Sequence, residues 1–292
     1  MNSKKTPLDP ANLLINEDGS IYHLHLRPED LADTVLIAGE PERAEAMAEF
    51  FDEIEVSRKN REFYSFTGNY HGKRITALST GIGTDNIDIV VNELDALANI
   101  DFKTRTINVQ HRTLRIIRIG TSGSVHPDVP AGAVVLSSFG LGIDGTTQYY
   151  TGLEHIDVKE MTEAFIYELQ WPDHLPRPYF IPGNPELINT LKDAPYHGIT
   201  VTAPGFYASQ GRKLRLSCSF PGLLQKIAAF EYQGHKVMNF EMETAALFAL
   251  TKLLGHKAAS ICIILANRAL GTYEPKHKES IKDMIAYVLE RI

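Results

Sequence analysis

The stretch NFEMETAA at residues 239–246 joins a predicted strand to a predicted helix. Residues 236–238 end the strand, and apolar residues at helical spacing across 245–254 predict the helix. Glu241 and Glu243 therefore lie at the start of a helix, where positions two apart do not share a face. If one of these carboxylates faces a cavity, we expect the other to do something else. A purely structural role stays open, because acidic residues favour a helix N-terminus through its dipole.

Strands and helices alternate on both sides of this stretch, as judged from apolar runs and from the spacing of apolar residues. The predicted strands are 21–26, 34–38, 61–68, 73–79, 114–119, 133–137, 199–202 and 257–266, and the predicted helices are 41–51, 85–97, 159–169, 185–191, 223–232 and 277–291. This order favours an α/β fold, a single-domain α/β/α sandwich with a mixed central sheet, whose ligands gather beyond the strand ends. Residues 1–20 are predicted to be a flexible N-terminal arm, residues 21–292 the domain, and residues 99–112 an inserted loop.

The composition argues against several classes of protein. The chain has 292 residues, a net charge of −7 and a pI near 5.9, which disfavours general binding to nucleic acid or anionic membranes. The apolar run at 258–266 is too short to span a bilayer, and residues 1–10 show no signal peptide. Cys218 and Cys262 form neither a disulfide framework nor a zinc motif. We therefore predict a cytoplasmic location in a reducing environment, without nucleic-acid or membrane partners.

Two predicted strand ends combine glycine with arginine. GEPER at 39–43 lets the backbone approach a ligand through Gly39, offers the free N–H groups of a helix start, and adds Arg43. RIGTSG at 118–123 places Arg118 near the end of an apolar strand, where an unpaired guanidinium is costly. Arginine, the Thr121 hydroxyl and backbone amides are the groups that a bound phosphate needs. A buried salt bridge for Arg118 and a surface location for Arg43 remain the structural alternatives.

A third motif, FYASQGR at 206–212, combines an aromatic side chain with an amide and a guanidinium. A planar heterocycle could stack on Phe206 while Gln210 and Arg212 bind its polar edge. An ordinary surface loop is the alternative. The histidines show no metal-binding spacing, and the nucleophile-elbow, dinucleotide and P-loop fingerprints are absent from the sequence.

These motifs occur together in an order that resembles the nucleoside phosphorylase-I superfamily, and within it the uridine phosphorylases. The resemblance covers roughly residues 21–268. It is carried by the segment around His23 and by GEPER at 39–43, NREF at 60–63, STGIG at 79–83, RIGTSG at 118–123, the loop at 206–212, FEME at 240–243 and ANR at 266–268.

The resemblance implies a role for each matching residue. Phosphate would be bound by Gly39, Arg43, Arg118 and Thr121, and a neighbouring subunit would contribute Arg61. Ribose would be bound by Met242 and Glu243, and the neighbouring subunit would contribute His23. The base would be bound by Phe206, Gln210, Arg212 and Arg268. Arg118, Arg212, Gln210 and Glu243 would be the catalytic groups. The implied assembly is a dimer or a hexamer of dimers with shared active sites.

The implied reaction is phosphorolysis of uridine to uracil and ribose 1-phosphate through an oxocarbenium-like transition state. Inorganic phosphate would be a co-substrate, and no cofactor is expected. Purine-specific relatives are expected to carry Ser-Asp where this chain has Asn267-Arg268, which favours a pyrimidine. Phosphorolysis of another nucleoside, such as a purine nucleoside or deoxyuridine, hydrolysis on the same fold, and nucleoside binding without catalysis stay open.

Two departures from the family pattern concern the phosphate loop and a subunit interface. The usual Gly-Asp-Pro is Gly39-Glu40-Pro41 here, which adds a methylene beside the expected phosphate. The usual glycine-proline-serine after Gly-Ile-Gly is Thr84-Asp85-Asn86. The second change weakens the expectation of an interface cation, whose ligands would be Glu62, Ile82 and Asn86.

Overall fold

Strand β1 (Thr34–Ala38) shows how this sequence builds a sheet with two covered faces. Its side chains alternate, so that Val35 and Ile37 pack into one apolar cluster while Leu36 and Ala38 pack into another. A strand that is buried on both faces requires helices on both sides of the sheet. The computed structural model describes residues 6–275 and 277–292.

The chain forms further strands and helices in the alternating order that the sequence predicts. The strands are β2 (Glu53–Asn60), β3 (Phe63–Tyr70), β4 (Lys73–Ser79), β5 (Ile100–Asp101), β6 (Thr106–Ile107), β7 (Arg115–Ser124), β8 (Val134–Gly142), β9 (Tyr179–Pro182), β10 (Tyr196–Thr202), β11 (Glu231–Tyr232), β12 (His235–Glu241), β13 (Lys257–Asn267) and β14 (Thr272–Tyr273). The helices are α1 (Pro41–Ala48), α2 (Thr84–Asn99), α3 (Leu153–Ile156), α4 (Lys159–Leu169), α5 (Pro185–Thr190), α6 (Leu223–Ala229), α7 (Thr244–Leu253) and α8 (His277–Leu289).

The central sheet is mixed, and its order is β11-β12-β10-β8-β13-β7-β1-β4-β3-β2. The pairs β1–β4, β1–β7, β7–β13, β8–β10 and β10–β12 are parallel, whereas β8–β13 and the β2-β3-β4 meander are antiparallel. The ends of β7 and β12 also pair, through Asn239 with Ser124 and Phe240 with Gly123. This contact brings the carboxyl ends of β7 and β12 together.

Helices cover both faces of the sheet. Helices α2 and α7 supply about half of one apolar cluster, and α5 and α8 contribute to the cluster on the other side, together with Met47 of α1. A third cluster joins α4 and α6 to β10 and β12. The predicted α/β/α sandwich with a mixed sheet is therefore confirmed.

Two predicted strands were placed wrongly. Residues 21–26 form turns with a single bridge between Ile15 and Ile21, although their apolar residues alternate. Arg61 lies in the tight turn between β2 and β3 with a φ of 52°, so the strand predicted from residue 61 begins at Phe63. Strand β2 escaped prediction because it is largely exposed and polar on both faces.

The N-terminal segment and the insertion lie against the domain. Leu13 is buried in the main core, and the Leu8 amide donates to the Arg105 carbonyl at 2.7 Å. Arg105 belongs to the insertion, where β5 and β6 pair as a short hairpin in place of the predicted irregular loop. The boundary at residue 20 and the flexibility of the arm stay predictions.

Candidate active site

Nine of the predicted site residues line one cavity of about 380 Å³ at the carboxyl ends of the central strands. They come from widely separated parts of the chain: Gly39, Arg43, Arg118, Thr121, Phe206, Gln210, Arg212, Met242 and Glu243. The cavity also contains residues that the sequence did not assign to phosphate, ribose or base: Glu40, Ile82, Ser122, Gly123, Phe240, Glu241, Leu265, Ala266 and Tyr273. Three carboxylates and three guanidinium groups line it together, so their formal charges cancel before any ligand binds.

Arg43 is held at the wall of the cavity near the β1–α1 junction. Its side chain is only 5% exposed; Nη1 donates to the Ile119 carbonyl at 3.1 Å, and Nη2 donates to Glu40 Oε1 at 2.6 Å. Its Nε is buried and has no hydrogen-bond partner. Burial lowers the pKa of Arg43, and Glu40 opposes that effect. A buried unpaired N–H donor of an arginine suits an anion that binds side-on to the guanidinium.

Arg118 lies between two carboxylates. Its Nη2 contacts Glu243 Oε2 and lies 3.2 Å from Glu241 Oε2, while Nη1 donates to the Cys262 sulfur at 3.0 Å. Burial alone would lower the pKa of Arg118, but the two carboxylates raise it above its ordinary value. The buried salt bridge considered from the sequence is present, and it lies inside the cavity that also contains Arg43.

Both glutamates of the 239–246 stretch face this cavity, so the expectation that only one would do so is wrong. Helix α7 begins at Thr244, and Glu241 and Glu243 precede it. Neither residue lies within the helix, so the rule that helix positions two apart face differently does not apply to them, which is the physical reason for the error. The spacing of apolar residues located the start of the helix correctly. Helical geometry was then wrongly extended to Glu241 and Glu243, which precede it.

The two carboxylates are fixed differently. Glu241 accepts hydrogen bonds from the Thr202 hydroxyl at 2.6 Å and from the backbone amides of Glu243 and Thr244, so it caps α7. Burial raises the pKa of Glu241, although Arg118 partly offsets the increase. Glu243 accepts from the Gly83 amide at 2.8 Å and contacts Arg118. Glu243 therefore ties the start of α2 to the cavity.

The loop after β10 forms the other end of the cavity. The Arg212 guanidinium lies 3.9 Å from the centre of the Phe206 ring, and its Nη1 contacts Gln210 Oε1. Gln210 is only 3% exposed, and its carbonyl accepts from Arg268 Nη1 at 2.6 Å. Burial lowers the pKa of Arg268, and the charge of Arg212 adds to that effect. Arg268 therefore lies behind the predicted base-binding groups and supports them.

A family model described as the Phosphorylase superfamily matches residues 33–292, which is most of the chain. The chain belongs to the phosphorylase superfamily. The resemblance seen in the sequence is confirmed at this level, because the match covers the strands and loops that form the cavity.

Individual members of the superfamily are similar over nearly their whole lengths. A uridine phosphorylase of Thermococcus kodakarensis is 28% identical over 257 residues, 88% of this chain and 81% of that protein. A DeoD-type purine nucleoside phosphorylase of Hahella chejuensis is 27% identical over 276 residues, 92% of this chain and 96% of that protein. A solved nucleoside phosphorylase of Trypanosoma brucei, described as showing uridine phosphorylase activity, has a TM-score of 0.83 and 25% identity, covering 96% of this chain and 98% of that one.

Three predicted site residues of this phosphorylase, His23, Arg61 and Arg268, do not line the cavity, and the first two lie apart from the others. His23 and Arg61 are near each other, because Asn60 Nδ2 donates to the His23 carbonyl at 2.8 Å. The Arg61 guanidinium lies 6.0 Å from the Tyr22 ring centre. Neither residue lines the cavity of its own chain. Their predicted roles therefore require a second subunit.

The residues of the weakly expected interface cation surround Gly81. A Cβ at Gly81 would lie 2.2 Å from Asn86 Nδ2 and 2.8 Å from Glu62 Cγ. The Asn86 amide lies 3.4 Å from the Ile82 carbonyl, a long hydrogen bond that uses one expected ligand oxygen. The cation stays a weak prediction.

Asp95, His111 and His256 form a cluster with metal-binding residue types elsewhere in the described chain. His256 Nδ1 accepts from the Leu114 amide at 3.1 Å, so the proton of the neutral ring is on Nε2, which donates to Asp95. A metal at Nε2 would require a fully deprotonated ring. The cluster is therefore explained by hydrogen bonding.

Some residues of the cavity could have been found from the sequence and others could not. Ile82 belongs to the quoted Gly-Ile-Gly motif, and Glu40 to the quoted phosphate loop. Tyr273 enters through β14, a two-residue strand that pairs with the end of β13 and carries no sequence signal of its own. Among residues 6–275 and 277–292, no helix has the length and apolar character needed to cross a membrane.

Proposed function

We propose that this phosphorylase cleaves uridine with inorganic phosphate, giving uracil and ribose 1-phosphate. The observation that carries the proposal is a single cavity that contains Arg43 and Arg118 together with Glu243 and the Phe206–Gln210–Arg212 group. These are the groups that phosphate, ribose and a pyrimidine need, in one continuous space. Uridine phosphorylases among the similar proteins support this choice of substrate.

Phosphate would bind at the Arg43 end, with Gly39 and Thr121 nearby. The cavity carries as many carboxylates as guanidinium groups, so a dianion must displace a carboxylate or recruit another cation. Glu40 is the carboxylate that can leave most readily, because its side chain is 53% exposed. Its departure would free Arg43 Nη2 beside the unpaired Nε.

Ribose would lie over this phosphate, against Met242 and Glu243. Breaking the bond between C1′ and the base nitrogen creates positive charge on the sugar, which the phosphate would stabilise from below. Glu243 would exchange part of its contact with Arg118 for a ribose hydroxyl, so Arg118 could turn toward phosphate. This mechanism uses the arginines to bind and orient the nucleophile and requires no general base.

Uracil would leave toward Gln210 and Arg212, with Phe206 as the wall. Negative charge develops on the oxygens of the departing base, and donors placed there lower the barrier by about 3 kcal/mol each. Arg212 now covers the Phe206 ring, so we expect it to move when the base enters. Inorganic phosphate is a substrate in this proposal, and no cofactor takes part.

Each site would be completed by a neighbouring subunit. His23 and Arg61 are adjacent to each other but lie outside their own cavity. We propose a dimer, or a hexamer of dimers, in which Arg61 of one subunit contacts the phosphate of the other. His23 of the same subunit would contact the 5′-hydroxyl of that ribose. A cytoplasmic location is part of the proposal.

A purine substrate is the second candidate, since one similar protein is a purine nucleoside phosphorylase. The aspartate expected to protonate a purine would stand at the position of Arg268. Here Arg268 donates to the Gln210 carbonyl and cannot serve as a proton donor near neutral pH. Asn267 is fully buried and donates to the carbonyls of His126 and Val129. Neither residue offers the expected proton, which favours a pyrimidine.

The proposal is tested by incubating the protein with uridine, 2′-deoxyuridine and inosine, each with and without phosphate. We expect uracil and ribose 1-phosphate in equal amounts from uridine, and much slower release of hypoxanthine from inosine. Faster cleavage of inosine would make the protein a purine phosphorylase. Equal release of uracil without phosphate would make it a hydrolase, and binding without turnover would leave only a nucleoside-binding role.

A further inference from the structure

His23 is presented by a short turn that a single carboxylate holds in place. The carboxylate belongs to Glu93 of helix α2, 70 residues away in sequence. Its Oε1 lies 2.6 Å from His23 Nδ1, and its Oε2 accepts the backbone amides of His23 at 3.1 Å and Leu24 at 3.0 Å. Two oxygens therefore satisfy three N–H donors of one turn.

The surroundings of the ring show that this arrangement is built into the fold. The His23 and Tyr22 rings make an edge-to-face contact with their centroids 4.8 Å apart, and the Phe63 ring makes a second such contact with His23 at 6.1 Å. The side chains of His23 and Glu93 are 24% and 13% exposed. The pair is therefore shielded, while part of the ring remains open to a partner.

The contact with Glu93 decides which ring nitrogen carries the proton. A carboxylate only accepts hydrogen bonds, so the neutral His23 ring must carry its proton on Nδ1. Its Nε2 then has a free lone pair, and within the described chain Nε2 makes no hydrogen bond. A free lone pair on a fixed ring is an acceptor for a hydroxyl group.

We propose that Glu93 is a positioning residue that fixes His23 so that Nε2 accepts a hydrogen bond from the 5′-hydroxyl of a nucleoside bound to the neighbouring subunit. This inference rests on the proposed function, in which His23 is lent across a subunit interface. It adds a specificity device: the enzyme selects for the 5′-hydroxyl through a carboxylate that touches no substrate.

Glu93→Gln is the sharpest variant because it keeps the shape of the side chain. An amide has one acceptor oxygen, and it places an NH2 group against at least one of the three N–H donors. The ring is then expected to lose its fixed tautomer. Asp88→Asn on the same helix is the matched control, since it removes a carboxylate that interacts with Tyr150 instead.

The experiment compares kcat/KM for uridine and 5′-deoxyuridine in the wild-type protein, Glu93→Gln, His23→Ala and Asp88→Asn. Loss of one hydrogen bond predicts a fall of about five- to tenfold for uridine in Glu93→Gln, and less than about twofold for 5′-deoxyuridine. His23→Ala should show the same dependence on substrate, and Asp88→Asn should change neither value by more than about twofold.

Equal losses for both substrates in Glu93→Gln would overturn the inference and assign Glu93 a purely structural role. A wild-type protein that cleaves neither substrate would contradict the proposed function itself. The ring can also be tested without a variant, from the nitrogen-15 chemical shifts of His23 in the wild-type protein. The proton on Nδ1 supports the inference, and the proton on Nε2 overturns it.

Discussion

Arg118 joins a buried cluster of ion pairs to the proposed phosphate site. It contacts Glu243 and Glu241 while all three side chains are nearly excluded from water. Before ligands bind, the guanidinium therefore compensates two buried negative charges. When phosphate and ribose bind, the same group would be shared between substrate and protein.

Arg118→Ala is expected to destabilise the fold as well as abolish turnover. Removing one partner of a buried ion pair costs about 3–5 kcal/mol, because the other charge stays buried without compensation. Denaturant unfolding and a phosphorolysis assay measure the two effects. Adding Glu241→Gln should restore part of the stability without restoring activity. An unfolding free energy equal to that of the wild type would contradict this account of the ion pair.

Glu40→Gln is expected to strengthen phosphate binding. The Glu40 carboxylate now accepts a hydrogen bond from Arg43 Nη2, so it competes with phosphate for the same guanidinium. Removing one exposed negative charge should lower KM for phosphate about threefold, corresponding to roughly 0.6 kcal/mol. KM for uridine should stay nearly constant. A higher KM for phosphate would show instead that Glu40 orients Arg43 for binding.

The convergence of these residues could be predicted from the sequence, but their pairing could not. Motifs at the ends of β1, β7 and β12 indicated that Arg43, Arg118 and Glu243 share a site. The partner of Arg118 depends on the register of β12 beside β7, which no local pattern specifies. The ion pair between Glu40 and Arg43 depends on the extra methylene of glutamate and on the rotamer of its side chain.

At the scale of secondary-structure elements, the parallel strands position the site and the polar edge strands escape prediction. β1, β7 and β13 are buried on both faces along most of their lengths and contain apolar runs, so their sequences identify them strongly. β2 and the turn at 21–26 show the opposite case. The exposed strand β2 lacks an apolar run, whereas the partly buried turn has the alternating apolar residues that are typical of a strand. The misplaced turn contains His23, so the motif identified a predicted site residue although the secondary structure predicted around it was wrong.

Asp144, in the loop after β8, is expected to make the stability of the fold depend on pH. Asp144 accepts hydrogen bonds from the Tyr179 hydroxyl at 2.7 Å and the Thr146 amide at 2.8 Å, which fixes the loop to β9. Burial nevertheless raises the pKa of Asp144 above its ordinary value of 3.8. The folded protein thus holds the proton more tightly than the unfolded chain. The resulting stabilisation is complete below pH 3.8 and is lost as pH rises through the folded-state pKa.

The asparagine in Asp144→Asn cannot ionise, so the stability of this variant does not fall as the pH rises through the pKa of Asp144. Between about pH 4 and about pH 7, the unfolding free energy of the variant should rise relative to that of the wild type. Chemical denaturation across this range measures the difference. A difference that does not change with pH, or that moves in favour of the wild type, would contradict the assigned shift.

In the proposed assembly, two chains are needed to complete one site. If Arg61 serves a neighbour, mixing Arg61→Ala with Arg43→Ala should restore activity that neither variant has alone. In a mixed dimer one site keeps both arginines, so random exchange predicts about a quarter of the wild-type activity. The variants are unfolded and refolded together, and separately refolded samples mixed afterwards are the control. No recovery in a protein shown to form mixed dimers would contradict the shared site.

The most direct test of the central claim is the initial rate of uracil release from uridine, measured against phosphate concentration. The two arginines around one cavity predict a rate that is negligible without phosphate, saturates as phosphate rises, and yields one ribose 1-phosphate per uracil. A rate that is the same with and without phosphate, or the absence of uracil at saturating phosphate, would contradict the claim.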